Sequence, residues 1–102
     1  MRYKLVFLAS AMREWKKLNP QLQQQFKSKL AIRLETPRVA GDRLGTMKDC
    51  YKIKLRSAGY RLVYQVRDQE LIVAVVAVGK RERNVVYLTA ARRILANTPS
   101  ES

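Results

Sequence analysis

Histidine is absent from the 102 residues, and cysteine occurs once, as Cys50. Without histidine the commonest general acid–base is gone, so catalytic sets of the Ser-His-Asp or Cys-His kind are excluded. A single cysteine cannot form an internal disulfide, and nothing points to an oxidising compartment. Its ordinary fate is a small packed side chain. Carboxylates are scarce, 8 against 21 Lys and Arg, and none lies between Cys50 and Arg67, so paired-carboxylate metal chemistry has little to build on. Long apolar runs are missing too. The longest strongly apolar stretch, Leu71 to Val78, is eight residues, whereas a bilayer span needs roughly 20. The start MRYKLVFLAS passes quickly into a charged segment and does not read as a secretory signal. A cytoplasmic protein with no membrane partner, no cofactor and no metal site is expected.

What is present is charge on a foldable chain. Hydrophobic residues make up 47% of the sequence, enough for one packed core, and the length suits one domain. A net charge of +13 makes such a domain repel itself, and a polyanionic partner is the natural explanation. Nucleic acid, an acidic protein and a membrane surface are the candidates, the last poorly supported.

Residues 2–8 are rich in strand formers. From Ala9 to Leu18, Met12, Trp15 and Leu18 recur along one helical face. Asn19-Pro20 predicts a new helix with Asn as N-cap, and Leu22, Phe26, Leu30 and Leu34 give it an apolar stripe up to Thr36-Pro37. Two helices so closely joined form a hairpin whose stripes need a sheet to cover. Residues 36–49 read as a loop. Three strands follow at about 50–56, 60–67 and 70–78, the last without polar alternation and therefore central. Asn84 is a candidate N-cap for a closing helix to about Ala96, and the polar tail 97–102 follows a domain of residues 1–96. The order β-α-α-β-β-β-α describes an α+β fold with helices packed on a mostly antiparallel sheet.

Strand alternation locates the charge. Ile53 and Leu55 alternate with Lys52, Lys54 and Arg56; Leu62, Tyr64 and Val66 alternate with Arg61, Gln65 and Arg67, Val63 being the exception. The register that unites the apolar residues on one face unites Lys52, Lys54, Arg56 and Arg61 on the other. Like charges facing one another in a sheet destabilise it, so an uncompensated cluster points to a phosphate-binding surface rather than a merely solvated face. Lys80, Arg81 and Arg83 follow the central strand, next to a helix start whose free N–H groups also favour anions. Tyr87 falls in that helix's first turn, where core packing and base stacking are both open.

The segments MKDCYKIKLRSAGYRLVYQV (47–66) and VAVGKRERNVVY (76–87), with EWKKL (14–18) and LETPR (34–38), resemble the RelE toxins of bacterial toxin–antitoxin pairs, from about Tyr3 to Leu95. The resemblance implies a microbial-RNase-like fold and an endoribonuclease that cuts mRNA in the A site of the 70S ribosome by 2′-hydroxyl attack, inhibiting translation. It places the family's catalytic positions on Lys52, Lys54, Arg61, Arg81 and Tyr87. The first four also emerge from the charge argument; Tyr87 rests mainly on the resemblance. Arg43, Lys48, Arg56, Lys80 and Arg83 are then candidates for contacts to mRNA and 16S rRNA. Gly45 stands where the enterobacterial prototype carries a basic residue, which puts that loop's ribosomal contacts in question. The implied partners are the ribosome and an acidic RelB-like antitoxin that displaces the C-terminal helix and supplies operator-DNA binding for autorepression.

Such a set has a definable chemistry. Arginine stays protonated, so Arg61 and Arg81 suit phosphate binding and stabilisation of developing charge. Lysine titrates more readily, and crowding by Lys52, Arg56 and Arg61 depresses the pKa of Lys54, the candidate general base. Lys52 supports the phosphate, and Tyr87 orients the 2′-hydroxyl or stacks on a base. No residue stands out as the general acid. Two other readings share the composition: a non-catalytic ParE-like toxin directed at DNA gyrase, and a basic nucleic-acid-binding module.

Overall fold

The computed structural model describes residues 2–82 and 84–97. A four-stranded sheet of β1 (Lys4–Phe7), β2 (Cys50–Leu55), β3 (Tyr60–Arg67) and β4 (Ile72–Lys80) forms the middle layer. Its spatial order is β1-β4-β3-β2, with β1 parallel to β4 and the other pairs antiparallel. Helices α1 (Ala9–Lys16) and α2 (Pro20–Glu35) lie on one face, and α3 (Val85–Asn97) covers part of the other.

Local chemistry explains the elements. Asn19 adopts extended backbone and its side-chain oxygen accepts the Leu22 N–H at 2.8 Å, with Pro20 in the first turn, as expected. Leu22, Phe26, Leu30 and Leu34 are all buried. They meet Trp15 from α1 and Tyr51, Ile53, Leu62, Tyr64, Val73 and Val75 from the sheet in the main core. Gly59, at a φ of 72°, closes the β2–β3 turn, where a side chain would be strained.

Strand β4 is interior and buried on both faces from Val73 to Val78, as its unbroken apolar run predicts. Tyr64 pairs with Val75 and Val63 with Ala77, so Val76 is an extra residue, a β-bulge. The bulge lets Val75 and Val78 both enter the main core, while Val76 and Ala77 join a smaller core with Met47, Cys50, Val63, Val86 and Ala90 beneath α3. Val63, the exception in the alternation of β3, is thereby explained: it is the floor under α3.

Several bounds differ from the sequence expectation. Strand β1 spans four residues rather than seven, and β4 begins at Ile72 because Asp68–Glu70 form a helical turn and Leu71 takes a left-handed φ of 54°. Lys80 consequently belongs to β4. Asn84 precedes α3 with a φ of 59°, not the extended backbone of an ordinary N-cap, a conformation asparagine tolerates well. The proposed tail begins within α3 at Asn97, and its residues 98–102 lie outside the described residues.

Candidate active site

The register of β2 and β3 sets Lys54 directly opposite Arg61 and Lys52 opposite Val63. Ile53 pairs with Leu62 on the buried face. Lys52, Lys54 and Arg61 therefore share one face, as expected, while Arg56 falls in the turn just past the end of β2. Arg61 also pairs across β3 with Gly79 of β4, so the position beyond it carries no side chain. Lys80 pairs with Tyr60, and the Arg81 N–H donates to the Gly59 carbonyl at 2.7 Å. That bond stitches the segment after β4 to the β2–β3 turn and brings Arg81 to the same end of the sheet as Arg61.

Gly79 has a second role. A Cβ there would lie 2.7 Å from Val86 Cγ2, so only glycine lets the first turn of α3 settle onto the sheet. Tyr87, the next residue, is half-buried against the small core. It is thus partly a packing residue.

The charges are uncompensated. Among the described residues, Lys52, Lys54, Arg56, Arg61, Lys80 and Arg81 form no ion pair. The charge of Lys52 is the largest cause pulling the Lys54 ammonium below its ordinary pKa, followed by partial desolvation, Arg61 and Arg56. Asp42 opposes the shift, but its carboxylate is held at 2.6 Å by Arg33. Arg33 also donates to the Tyr64 hydroxyl at 2.8 Å and to the Lys52 carbonyl at 3.3 Å. It braces the lysine strand from the helical side.

Lys54 sits at a sheet edge and lines a depression of about 280 Å³ with Lys29, Arg33, Asp42 and Arg56. Lys29 and Asp42, neither foreseen from the sequence, enter through folding alone; no local motif marks them. Arg43 and Lys48 fall elsewhere. Both lie at the Cys50 end of β2, where Arg43 bridges to Tyr51 and Lys48 borders a cavity with Arg67 and Asp68. They do not join the Lys54–Arg61 cluster. Arg83 lies outside the described residues.

Burial pushes the Cys50 thiol up to about 12, with Asp49 adding to the effect, so it is no nucleophile. Among the described residues no group of three or more His, Cys, Asp or Glu side chains could hold a metal ion, and no helix is long and apolar enough to cross a membrane.

Helix α3 is fastened at its far end by an ion pair that sequence spacing does not suggest. Arg93 donates to both carboxylate oxygens of Glu14 in α1, at 2.8 and 3.0 Å, and to the Val76 carbonyl at 2.9 Å. Glu14 Oε1 also accepts the Val78 N–H at 3.0 Å. Both side chains are partly exposed, so the main effect of the cluster is to satisfy the Val76 and Val78 backbone groups rather than to add charge attraction.

Residues 5–85 match the family model for the ParE toxin of the type II toxin–antitoxin system parDE. The chain is 54% identical over 95 residues to the mRNA interferase toxin RelE of Escherichia coli K12, covering 93% of this chain and all of that protein. The chain belongs to the RelE family of toxins. A Shigella flexneri protein named mRNA interferase RelE matches equally well. Among solved structures, the free E. coli RelE toxin bearing R81A/R83A superposes with a TM-score of 0.86 at 51% identity, covering 92% of this chain and 99% of that one. RelE in the intact E. coli RelBE toxin–antitoxin complex gives 0.77 at 53% identity, over 79% and 99%. The RelE fold expected from the resemblance is the fold observed.

Proposed function

We propose that this RelE-family chain is an mRNA interferase that cleaves mRNA in the ribosomal A site without a metal ion. The observation that carries the reading is the pairing of Lys54 with Arg61 on an open strand face, with Arg81 tied to the same end. In this reading neutral Lys54 takes the 2′-hydroxyl proton, and the freed oxygen attacks the adjacent phosphorus. Arg61 and Arg81 hold the phosphate and stabilise the charge that builds on it, with Lys52 in support. The bond to the 5′-oxygen breaks and that oxygen takes up a proton from water, leaving a 2′,3′-cyclic phosphate and a 5′-hydroxyl. Tyr87 orients the attacking ribose or stacks on a base. The site consists mainly of charge stabilisers, so it relies on the ribosome to align the RNA. Arg56 and Lys80 extend the cationic surface for RNA, and Arg43 and Lys48 form a separate patch for rRNA.

The protein acts in the cytoplasm and is restrained by an acidic RelB-like antitoxin, which displaces α3 with Tyr87 and links the pair to operator DNA for autorepression. The solved complexes of E. coli RelE with RelB support the pairing.

Induction in cells lacking antitoxin, followed by mapping of mRNA ends, tests the reading. Growth arrest with cuts inside translated codons, absent from mRNAs that cannot initiate and unaffected by chelator in a purified system, is expected. Arrest with intact mRNA and inhibited gyrase would instead select the ParE-like activity. Equal cleavage of free RNA would overturn dependence on the ribosome.

A further inference from the structure

We infer that Glu14 and Arg93 form a latch that fixes α3 on the sheet and so sets the position of Tyr87 for cleavage; the inference rests on the function proposed above. The sheet itself creates the need for such a latch. Strand β1 ends at Phe7, opposite Val75, and Leu8 contributes one last backbone bond to the Val75 carbonyl at 3.0 Å. Beyond that point β4 has no strand beside it on that side, yet Val76 and Val78 are almost fully buried. Their backbone groups need partners. Arg93 takes the Val76 carbonyl, Glu14 takes the Val78 N–H, and the two side chains close on each other. A carboxylate and a guanidinium thus stand where the next strand would have been, and they come from two different helices.

Apolar contact holds α3 along one side. Among its described residues Val86 and Ala90 are buried and Tyr87, Ala91 and Ile94 are partly buried against the small core, while Val85, Leu88 and Leu95 on its outer side are exposed. The first turn rests above Gly79, and the latch holds the other end. Tyr87 lies between the two points, six residues or about 9 Å along the helix from Arg93. Releasing Arg93 lets the helix tilt and roll about its first turn, and Tyr87, although close to that pivot, is carried with it because its ring reaches well out from the helix axis. Displacements of about an ångström at a reacting group can cost a hundredfold in rate.

Arg93→Met, which keeps an unbranched apolar stem without the guanidinium, and Glu14→Gln, which keeps an acceptor for Val78, are compared with Arg93→Lys, each alone and combined with Tyr87→Ala. Three readouts are taken: the maximal cleavage rate on ribosome-bound mRNA, KM, and amide exchange along α3. Arg93→Met and Glu14→Gln should lower the maximal rate about tenfold to a hundredfold with KM nearly unchanged, and Arg93→Lys should recover part of it. Exchange in α3 should rise while β3 keeps its protection. With Tyr87 already removed, the same latch variants should have little further effect on rate. An equal slowing with and without Tyr87 would show a merely structural role, and unchanged α3 exchange would show that no latch exists. Full activity of Tyr87→Ala alone would overturn the proposed site instead, leaving the fastening of α3 to be decided by exchange.

Discussion

Replacing Gly79 with alanine adds one carbon, and its consequence can be worked out from the packing. The new Cβ would meet Val86 Cγ2 at 2.7 Å, well under the 3.4 Å at which ordinary contact begins. Val86 is only 6% exposed and wedged among Met47, Cys50, Val63, Val76 and Ala77, and its branched side chain has little rotamer freedom. The strain therefore passes to the backbone, lifting the first turn of α3. Overpacking of this kind costs about 1–3 kcal/mol. Gly79 does not have a positive φ, so alanine recovers about 0.5–1 kcal/mol through the unfolded chain. The net loss is about 0–2.5 kcal/mol, a fall in Tm of up to several degrees for a domain of this size. Thermal and urea unfolding would measure it, with Gly41→Ala, where the added carbon meets nothing within 4 Å, as the control. Cleavage should fall as well, because Tyr87 moves with Val86, and Val86→Ala should relieve the clash in the double variant. A Gly79→Ala protein that melts at or above the parent and cleaves at full rate would refute the close approach of α3 to β4.

Lys54 acts as a base only when neutral, so cleavage should rise with pH and level off below the ordinary lysine value of about 10.5, and added salt should shift the profile upward by screening Lys52 and Arg61. The same repulsion destabilises the fold at all pH values below the depressed pKa and is relieved as pH rises toward the unfolded value. Lys54→Met should therefore abolish cleavage yet raise Tm at neutral pH; a lower Tm would count against the electrostatic account. Asn19→Ala removes the cap on α2 and should cost about 1 kcal/mol in urea unfolding, with cleavage at saturating substrate unchanged. Cys50, fully buried with its thiol pushed up to about 12, should resist alkylation in the native protein and react only on unfolding, which mass spectrometry can follow.

Sequence periodicity revealed most of the fold because each signal was local. The stripe Leu22–Phe26–Leu30–Leu34 and the cap Asn19 each act over a few residues, and both appear in the structure. The shared face of Lys52, Lys54 and Arg61 was legible because their strands are joined by a short turn, which leaves little freedom of register, whereas the direct pairing of Lys54 with Arg61 comes from the structure. What could not be read depended on distant partners. Glu14 and Arg93 are 79 residues apart, and Arg33 reaches Asp42 through a loop with no regular pattern. Gly79 falls just past the strand expected at 70–78, and no local pattern marks it as the floor under α3. The Val76 bulge was hidden by the uniformly apolar run around it.

The interleaving of β2 has a consequence for how such a protein can evolve. From Tyr51 to Leu55 every second residue supports the main core, and Lys52 and Lys54 between them stand on the opposite face, so core packing and surface charge are separated by a single position. Substitutions can adjust either task independently, and the charged positions can drift toward new substrates without disturbing the packing beneath. A single-residue deletion has the opposite character: it would turn lysines into the interior and leave isoleucine and leucine in their place. Heritable change in this strand is thus confined to replacement, and its length is the part of the gene with the least latitude.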